Sequence, residues 1–231
     1  MTIPVHNASH WIPADTTLSG TNICLRPLRP DHFESLIEMG RDPRIWTNFP
    51  SDRSDPTVHR RYLEAMFAEM QAGQIHAFVI EKTENGEIAG LTRLFHLNPT
   101  HRHCEIGTWL GTDHWHSGIN TESKFLLMAY CFEHLQMLRV QFRTDADNLR
   151  SRKALEKLGA QLEGIIRKER IRDNGQTRDA AIYSILDDEW AFVRERLLER
   201  MHRAKIPHEA RRHEAETWGN AAASSRNEYE C

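Results

Sequence analysis

Between positions 114 and 124 the chain reads HWHSGINTESK, a lone glycine among small polar residues set directly before a strongly apolar segment. Small residues let a backbone come close to a ligand, and a helix that begins there presents N–H groups with no acceptor inside the helix. Ser117, Gly118, Ile119, Asn120 and Thr121 could therefore cradle an anion. The same letters also make an ordinary helix start, with Thr121 and Glu122 in a first turn where the dipole favours an acid. The stretch alone leaves both readings open.

Other groupings carry reactive side chains. HRH at 101–103 and HWH at 114–116, with Cys104 between, suggest metal ligands, and His101 and His103 would share one face of a strand. No carboxylate or cysteine pair at a second ligand spacing completes a set, so no metal is expected. Trp46, Trp109 and Trp115 are first of all core or pocket-wall residues. The ordinary place for Arg150, Arg152 and Lys153 is a solvated helix face, although arginines there could also meet a phosphate. Asn148 suits a helix start, and Ser151 in a first turn suits a local backbone partner.

Composition bounds what these residues can serve. The chain has 231 residues, 39% of them hydrophobic, enough for one full-sized core. Basic and acidic residues number 30 and 33, a balance without the electrostatic footprint of a nucleic-acid binder. Cys24, Cys104, Cys131 and Cys231 show no paired spacing, which suits reduced thiols and a cytoplasmic location. No window approaches the roughly 18 apolar residues of a membrane span, and the first 20 residues lack a basic patch followed by an apolar core. A soluble protein without a membrane partner is expected.

These residues need elements to position them. Residues 1–20 read as an irregular arm, after which NICLRPLRP alternates as a half-buried strand. DHFESLIEMGRDP predicts a helix starting at Asp31, and PTVHRRYLEAMFAEMQAG predicts a second one stopped at Gly73. IHAFVIEK, GEIAGLTRLFHL and HRHCEIGTWLG predict an antiparallel meander with turns at ENG and NPTH. KFLLMAYCFEHL predicts a helix packed on a sheet and LRVQFRTD the next strand, making residues 103–144 one parallel strand–helix–strand crossover. A short helix ending at Gly159, a hairpin turning at DNG and a helix from Asp187 follow. The expected organisation is an arm at 1–20, a domain at 21–186, an amphipathic helix at 187–206 and a polar, disordered tail at 207–231.

Meander, crossover helix after a glycine loop, strand, short helix and closing hairpin, in that order, resemble the GNAT superfamily of acyl-CoA-dependent N-acetyltransferases, and three stretches carry the likeness. EIGTWLGTDHWHSGINTESK is similar to that family's strand, pyrophosphate loop and helix. DADNLRSRKALEKLGA is similar to its following segment, with Asn148 and Ser151 as an N-x-x-S pair. RDPRIWTNFP resembles the early loop of the subgroup that includes the ribosomal-protein N-terminal acetyltransferases. The resemblance spans about residues 21–186. It departs in the loop, where Trp115, Gly118 and Asn120 fill the pattern and only the glycine is kept, and in the short helix, where Leu155 and Leu158 occupy the region that carries a tyrosine in many relatives.

The resemblance implies an α/β fold: a mixed, mostly antiparallel sheet with a central parallel crossover and helices on both faces. It implies acetyl-CoA as co-substrate, with no metal, and an amine acceptor that is a protein N-terminus or a small molecule; pairing of two copies stays open. Backbone groups from Trp115, His116, Ser117, Gly118, Ile119, Asn120 and Thr121 would hold the pyrophosphate, and Trp109 and Leu110 would flank the pantetheine. A backbone N–H near Leu110 would face the developing oxyanion. Glu105 would take the amine's proton, against the alternative of a solvated strand charge. Asn148 would bond the pantetheine or a water, Ser151 would give a proton to the leaving thiolate, and Arg150 would meet the 3′-phosphate. Trp46 would stand near the acceptor cleft. The other reading is a GNAT-like module that binds acyl-CoA or a protein partner without turnover.

Overall fold

The computed structural model describes residues 11–205. Eight strands in chain order are β1 (Leu18–Ser19), β2 (Ile23–Pro27), β3 (His76–Lys82), β4 (Ile88–Asn98), β5 (His103–Leu110), β6 (Arg139–Asp145), β7 (Gln161–Ile171) and β8 (Thr177–Leu186). The helices are α1 (Phe33–Met39), α2 (Pro56–Gln71), α3 (Ile119–Ala129), α4 (Leu149–Leu158) and α5 (Asp187–Lys205). The strands form one sheet in the order β1-β2-β3-β4-β5-β6-β8-β7. Every pairing is antiparallel except β5 with β6, the pair joined through α3.

Local chemistry explains the helix boundaries. Asp55 caps α2 by accepting from Thr57 N and Val58 N, with Pro56 as the first helical residue. Asn148 caps α4 through Ser151 N, and Gly159 closes that helix at φ +104°. The first helix differs from its expected start: Asp31 lies in a 3-10 turn at Pro30–His32, and α1 proper begins at Phe33. The apolar segment after Lys124 is not one regular helix either. It widens into a π turn at Tyr130–His134, which brings the adjacent Cys131 and Phe132 both inside.

Alternating side chains divide the core between the two sheet faces. One face packs Cys104, Ile106, Phe142 and Tyr183 against α3, α4 and α5. The other packs Val79, Leu91 and Trp109 against α1, α2 and the turn around Trp46. Leu127, Leu36 and Leu63 are fully buried in these layers, each stabilising the fold by about 1.5–3 kcal/mol through lost apolar exposure. The ladder begins at Leu18, inside the stretch expected to be irregular. Among the described residues no helix is long and apolar enough to cross a membrane. The expected tail at 207–231 and Cys231 lie outside the described residues.

Candidate functional site

The parallel ladder between β5 and β6 covers only His103–Ile106 against Arg139–Phe142. β5 continues to Leu110 and β6, paired with β8 throughout, continues to Asp145, but the two are no longer paired beyond Ile106. Gly111 N bonds Ala89 O on β4 at 3.1 Å, and strand alternation therefore turns the backbone of Leu110 towards the opening. Trp115 Nε1 donates to Leu110 O at 3.3 Å, which ties the loop below to the end of this strand.

That loop leads into α3. Thr112–His114 form a 3-10 turn, and Ser117 Oγ donates to His114 O at 2.6 Å. His116, Ser117 and Gly118 are exposed. Gly118 precedes the helix in the left-handed region, at φ +89°, and a Cβ built there would meet nothing within 4 Å. The backbone is thus open to close approach at the start of α3, where Ile119 N leans on Ser117 Oγ at 3.4 Å and Thr121 N and Glu122 N turn back to Gly118 O at 2.9 and 3.1 Å. The Asn120 side chain is engaged by Lys124 Nζ at 2.5 Å. Arg200 on α5 donates to Thr121 Oγ1 at 3.0 Å, bringing a further guanidinium to this turn. Arg150 stacks over the Trp115 ring at 3.9 Å, so the exposed start of α4 leans on the loop. Glu122, expected as a plain first-turn acid, is buried and accepts from Thr21 N at 2.6 Å and Asn22 N at 2.9 Å.

Glu105 lies on the opposite face of β5 from Cys104 and Ile106, in register with Phe95 on β4 and Gln141 on β6. It is 2% exposed, which rules out the solvated strand charge. Glu105 Oε2 accepts from Gln141 Nε2 at 2.8 Å and from an Arg143 terminal nitrogen at 3.3 Å, while His96 Nδ1 lies 3.2 Å away. Arg143 also donates to Glu169 Oε1 on β7 at 2.6 Å. Further along β5, Trp109 meets Trp46 with ring centroids 5.2 Å apart, and His59 stands 5.4 Å from the Trp109 ring. Trp46 itself is buried and donates to Gly40 O at 2.7 Å.

The sequence profile described as the acetyltransferase (GNAT) domain matches residues 22–161, the span that holds the parted strands, the loop and Glu105. The chain belongs to the GNAT acetyltransferase family. Its relatives include YdaF of Bacillus subtilis (strain 168), provisionally named a ribosomal N-acetyltransferase, 28% identical over 73% of this chain and 93% of its own. The spermidine N(1)-acetyltransferase of Escherichia coli (strain K12) is 30% identical over 70% of this chain and 84% of its own. A provisionally assigned acetyltransferase from T. thermophilus superposes with a TM-score of 0.72 at 33% identity, over 80% of this chain and 96% of that one. Mycobacterium smegmatis RimJ in complex with CoA-disulfide superposes at 0.70, with 21% identity over 80% and 95% of the two chains, a likeness of fold.

In this GNAT enzyme the candidates from the sequence fall into three groups. Trp109 and Leu110 end β5, Trp115 bonds Leu110 O, residues 116–121 lead on into α3, and Arg150 meets this loop over the Trp115 ring. Glu105 lies on the same face of the sheet as Trp46 and Trp109. Asn148 Oδ1 is engaged as a cap by Ser151 N at 3.0 Å, the structural role open to both residues. The α4 region without a tyrosine receives one from β8: Tyr183 OH donates to Glu156 Oε1 at 2.8 Å and accepts from Arg152 Nε at 3.1 Å, a buried and fully partnered hydroxyl. His101 and His103 stack with centroids 6.4 Å apart, and no three His, Cys, Asp or Glu side chains among the described residues gather in a metal-holding group. Gln141, Arg143 and His96 were missed by sequence reasoning, although the alternation of RVQFRTD already separates Gln141 and Arg143 from Val140 and Phe142.

Proposed function

We propose that the protein is an acetyl-CoA-dependent N-acetyltransferase that moves the acetyl group directly to an amine, either a protein N-terminus or a small molecule. The observation that carries this reading is the parting of β5 from β6 next to the open, left-handed Gly118 at the start of α3. A pyrophosphate fits backbone that is both donor-rich and free of side-chain bulk. Residues 117–121 would hold it there, with Arg150 near its edge. When bound, acetyl-CoA supplies the activated acetyl group. Thr108, Trp109 and Leu110 would align the pantetheine, and the Leu110 N–H would face the developing oxyanion.

Glu105 would accept the amine's proton, directly or through a water. Among the described residues its three contacts all fall on Oε2 and none on Oε1, which supports Oε1 as the accepting atom. A free α-amine has a pKa of about 8, so the base has little to overcome near neutral pH. Asn148 would bond the pantetheine or a water and Ser151 would give a proton to the leaving thiolate, both while keeping their capping bond. Glu105→Gln tests the assignment, because Arg143 keeps Glu169 and the fold keeps its pairings. We expect kcat/KM to fall by about 100-fold or more, most steeply below pH 8, with the thermal shift given by acetyl-CoA retained. An unaltered pH–rate profile in that variant would remove Glu105 from the proton transfer.

A further inference from the structure

Two guanidinium groups on the Glu105 side of the sheet form no ion pair with a carboxylate among the described residues, Asp173 acting on Arg53 only at longer range. Arg53, in the segment leading to α2, stacks over Tyr62 at 3.9 Å and lies 5.3 Å from Trp46 and 5.8 Å from Phe49. Its NH1 is buried without a hydrogen-bond partner. Arg93 on β4 lies 4.4 Å over the Phe95 ring. It is in register with Gly107, midway between Glu105 and Trp109 on β5, and its Nε would lie 3.7 Å from a Cβ at Gly107. Burial lowers the proton affinity of Arg53 most, Arg93 and Arg170 lower it further, and Tyr62 and Asp173 oppose them.

Neighbouring arginines are matched. Arg143 has Glu105 and Glu169, Arg170 has Glu169, and Arg172 has Asp145. Asp173 is engaged by Ser51 Oγ at 3.2 Å and Asp52 N at 3.3 Å, which holds the β7–β8 turn against the segment that carries Arg53. An aromatic face recovers part of a cation's lost hydration but accepts no directed hydrogen bond from the guanidinium edge. The edge donors of Arg93, one register step from the proposed base, and of Arg53, over the Trp46–Tyr62 wall, are therefore suited to a planar anion.

We propose that Arg53 and Arg93 select an acceptor that carries a carboxylate close to its amino group. The inference rests on the N-acetyltransferase reading and names the substrate class of the same site. The carboxylate would sit between the two guanidiniums and bring the amine over Gly107 towards Glu105. A polyamine would instead meet two unpaired like charges. The carboxylate has two sources, an acidic side chain near a peptide N-terminus or the free carboxylate of an amino acid.

Initial rates of acetyl transfer on the full chain test the proposal. The acceptors are three peptide amides that differ only in a glutamate, glutamine or lysine at the second position, together with free glutamate and spermidine. We expect the glutamate peptide, free glutamate or both to exceed the glutamine peptide by about tenfold or more in kcat/KM, with the lysine peptide and spermidine lowest. Which of the two acids leads identifies the source. The glutamate-to-glutamine ratio should collapse towards one in Arg53→Gln and in Arg93→Gln and partly return in Arg53→Lys. A ratio taken within one variant is insensitive to how much of it folds. Equal rates for all five in the parent, or spermidine turnover that rises in Arg53→Gln, would overturn the proposal. Failure of every amine despite an acetyl-CoA thermal shift would count against the catalytic reading instead. Calorimetric affinities of the N-acetylated glutamate and glutamine peptides would then decide the charge preference, with equal values overturning it.

Discussion

Burial at single residues decides how this protein uses its ionisable groups. His76, 3% exposed on β3 against Phe78, has a pKa pushed down to about 4 by burial alone, and its Nε2 has no partner. The unfolded chain takes up a proton near pH 6.5 that the folded chain refuses until about pH 4. Folding stability from this group is therefore complete above pH 6.5 and is lost as the pH falls towards 4, to the extent of roughly 3 kcal/mol. His76→Leu should shrink the fall in unfolding free energy between those two pH values by about that amount, read by urea denaturation across the range. An undiminished fall would show that His76 is not the group that titrates. The surroundings of Glu105 illustrate what single positions leave unsaid. The residue was legible as a strand charge, but Gln141 and Arg143 lie 36 and 38 positions away and meet it only through the parallel pairing of β5 with β6. Arg53 and Arg93 were hidden for the same reason, since lacking a partner is a property of space rather than of spacing.

Most elements were legible, because capping residues and alternation act locally. PTVHRRYLEAMFAEMQAG became α2 with Asp55 before it and Gly73 just beyond it, and the meander from His76 to Leu110 follows the alternating runs. The π turn after Ala129 was not legible, because one extra residue in a turn answers to tertiary packing around Cys131 and Phe132. HWHSGINTESK itself was legible as a helix start, but the conformation of its glycine was not. The positive φ at Gly118 strains any side chain, yet nothing stands where a Cβ would go. Gly118→Ala should therefore lower stability by only about 1 kcal/mol and keep most of the thermal shift given by acetyl-CoA. Gly118→Glu should melt like the alanine variant but lose that shift, since it adds bulk and negative charge where an anion would approach. Equal shifts in the two variants would leave the loop as a helix start only.

At the scale of the whole molecule, one sheet is worked from two sides. The face under α3, α4 and α5 is apolar and holds the architecture, while the face shared with α1 and α2 carries Glu105, Arg143 and the Trp46–Trp109 wall. The strand order was only half legible: the hairpin of β7 and β8 follows from its turn, but that β8 rather than β7 lies beside β6 is set by long-range packing of Tyr183 and Ile185 into the core. The parted strands open between these faces, so a thioester held along β5 would meet an amine arriving from the Glu105 side. The most direct measurement is thiol release from acetyl-CoA with and without an amine acceptor, with the acceptor weighed by mass spectrometry afterwards. An N-acetyltransferase releases thiol in proportion to the amine and leaves the acceptor heavier by one acetyl group on nitrogen. Saturable binding of acetyl-CoA with no amine-dependent release across peptide and small-amine acceptors would contradict it and leave a binding module in its place.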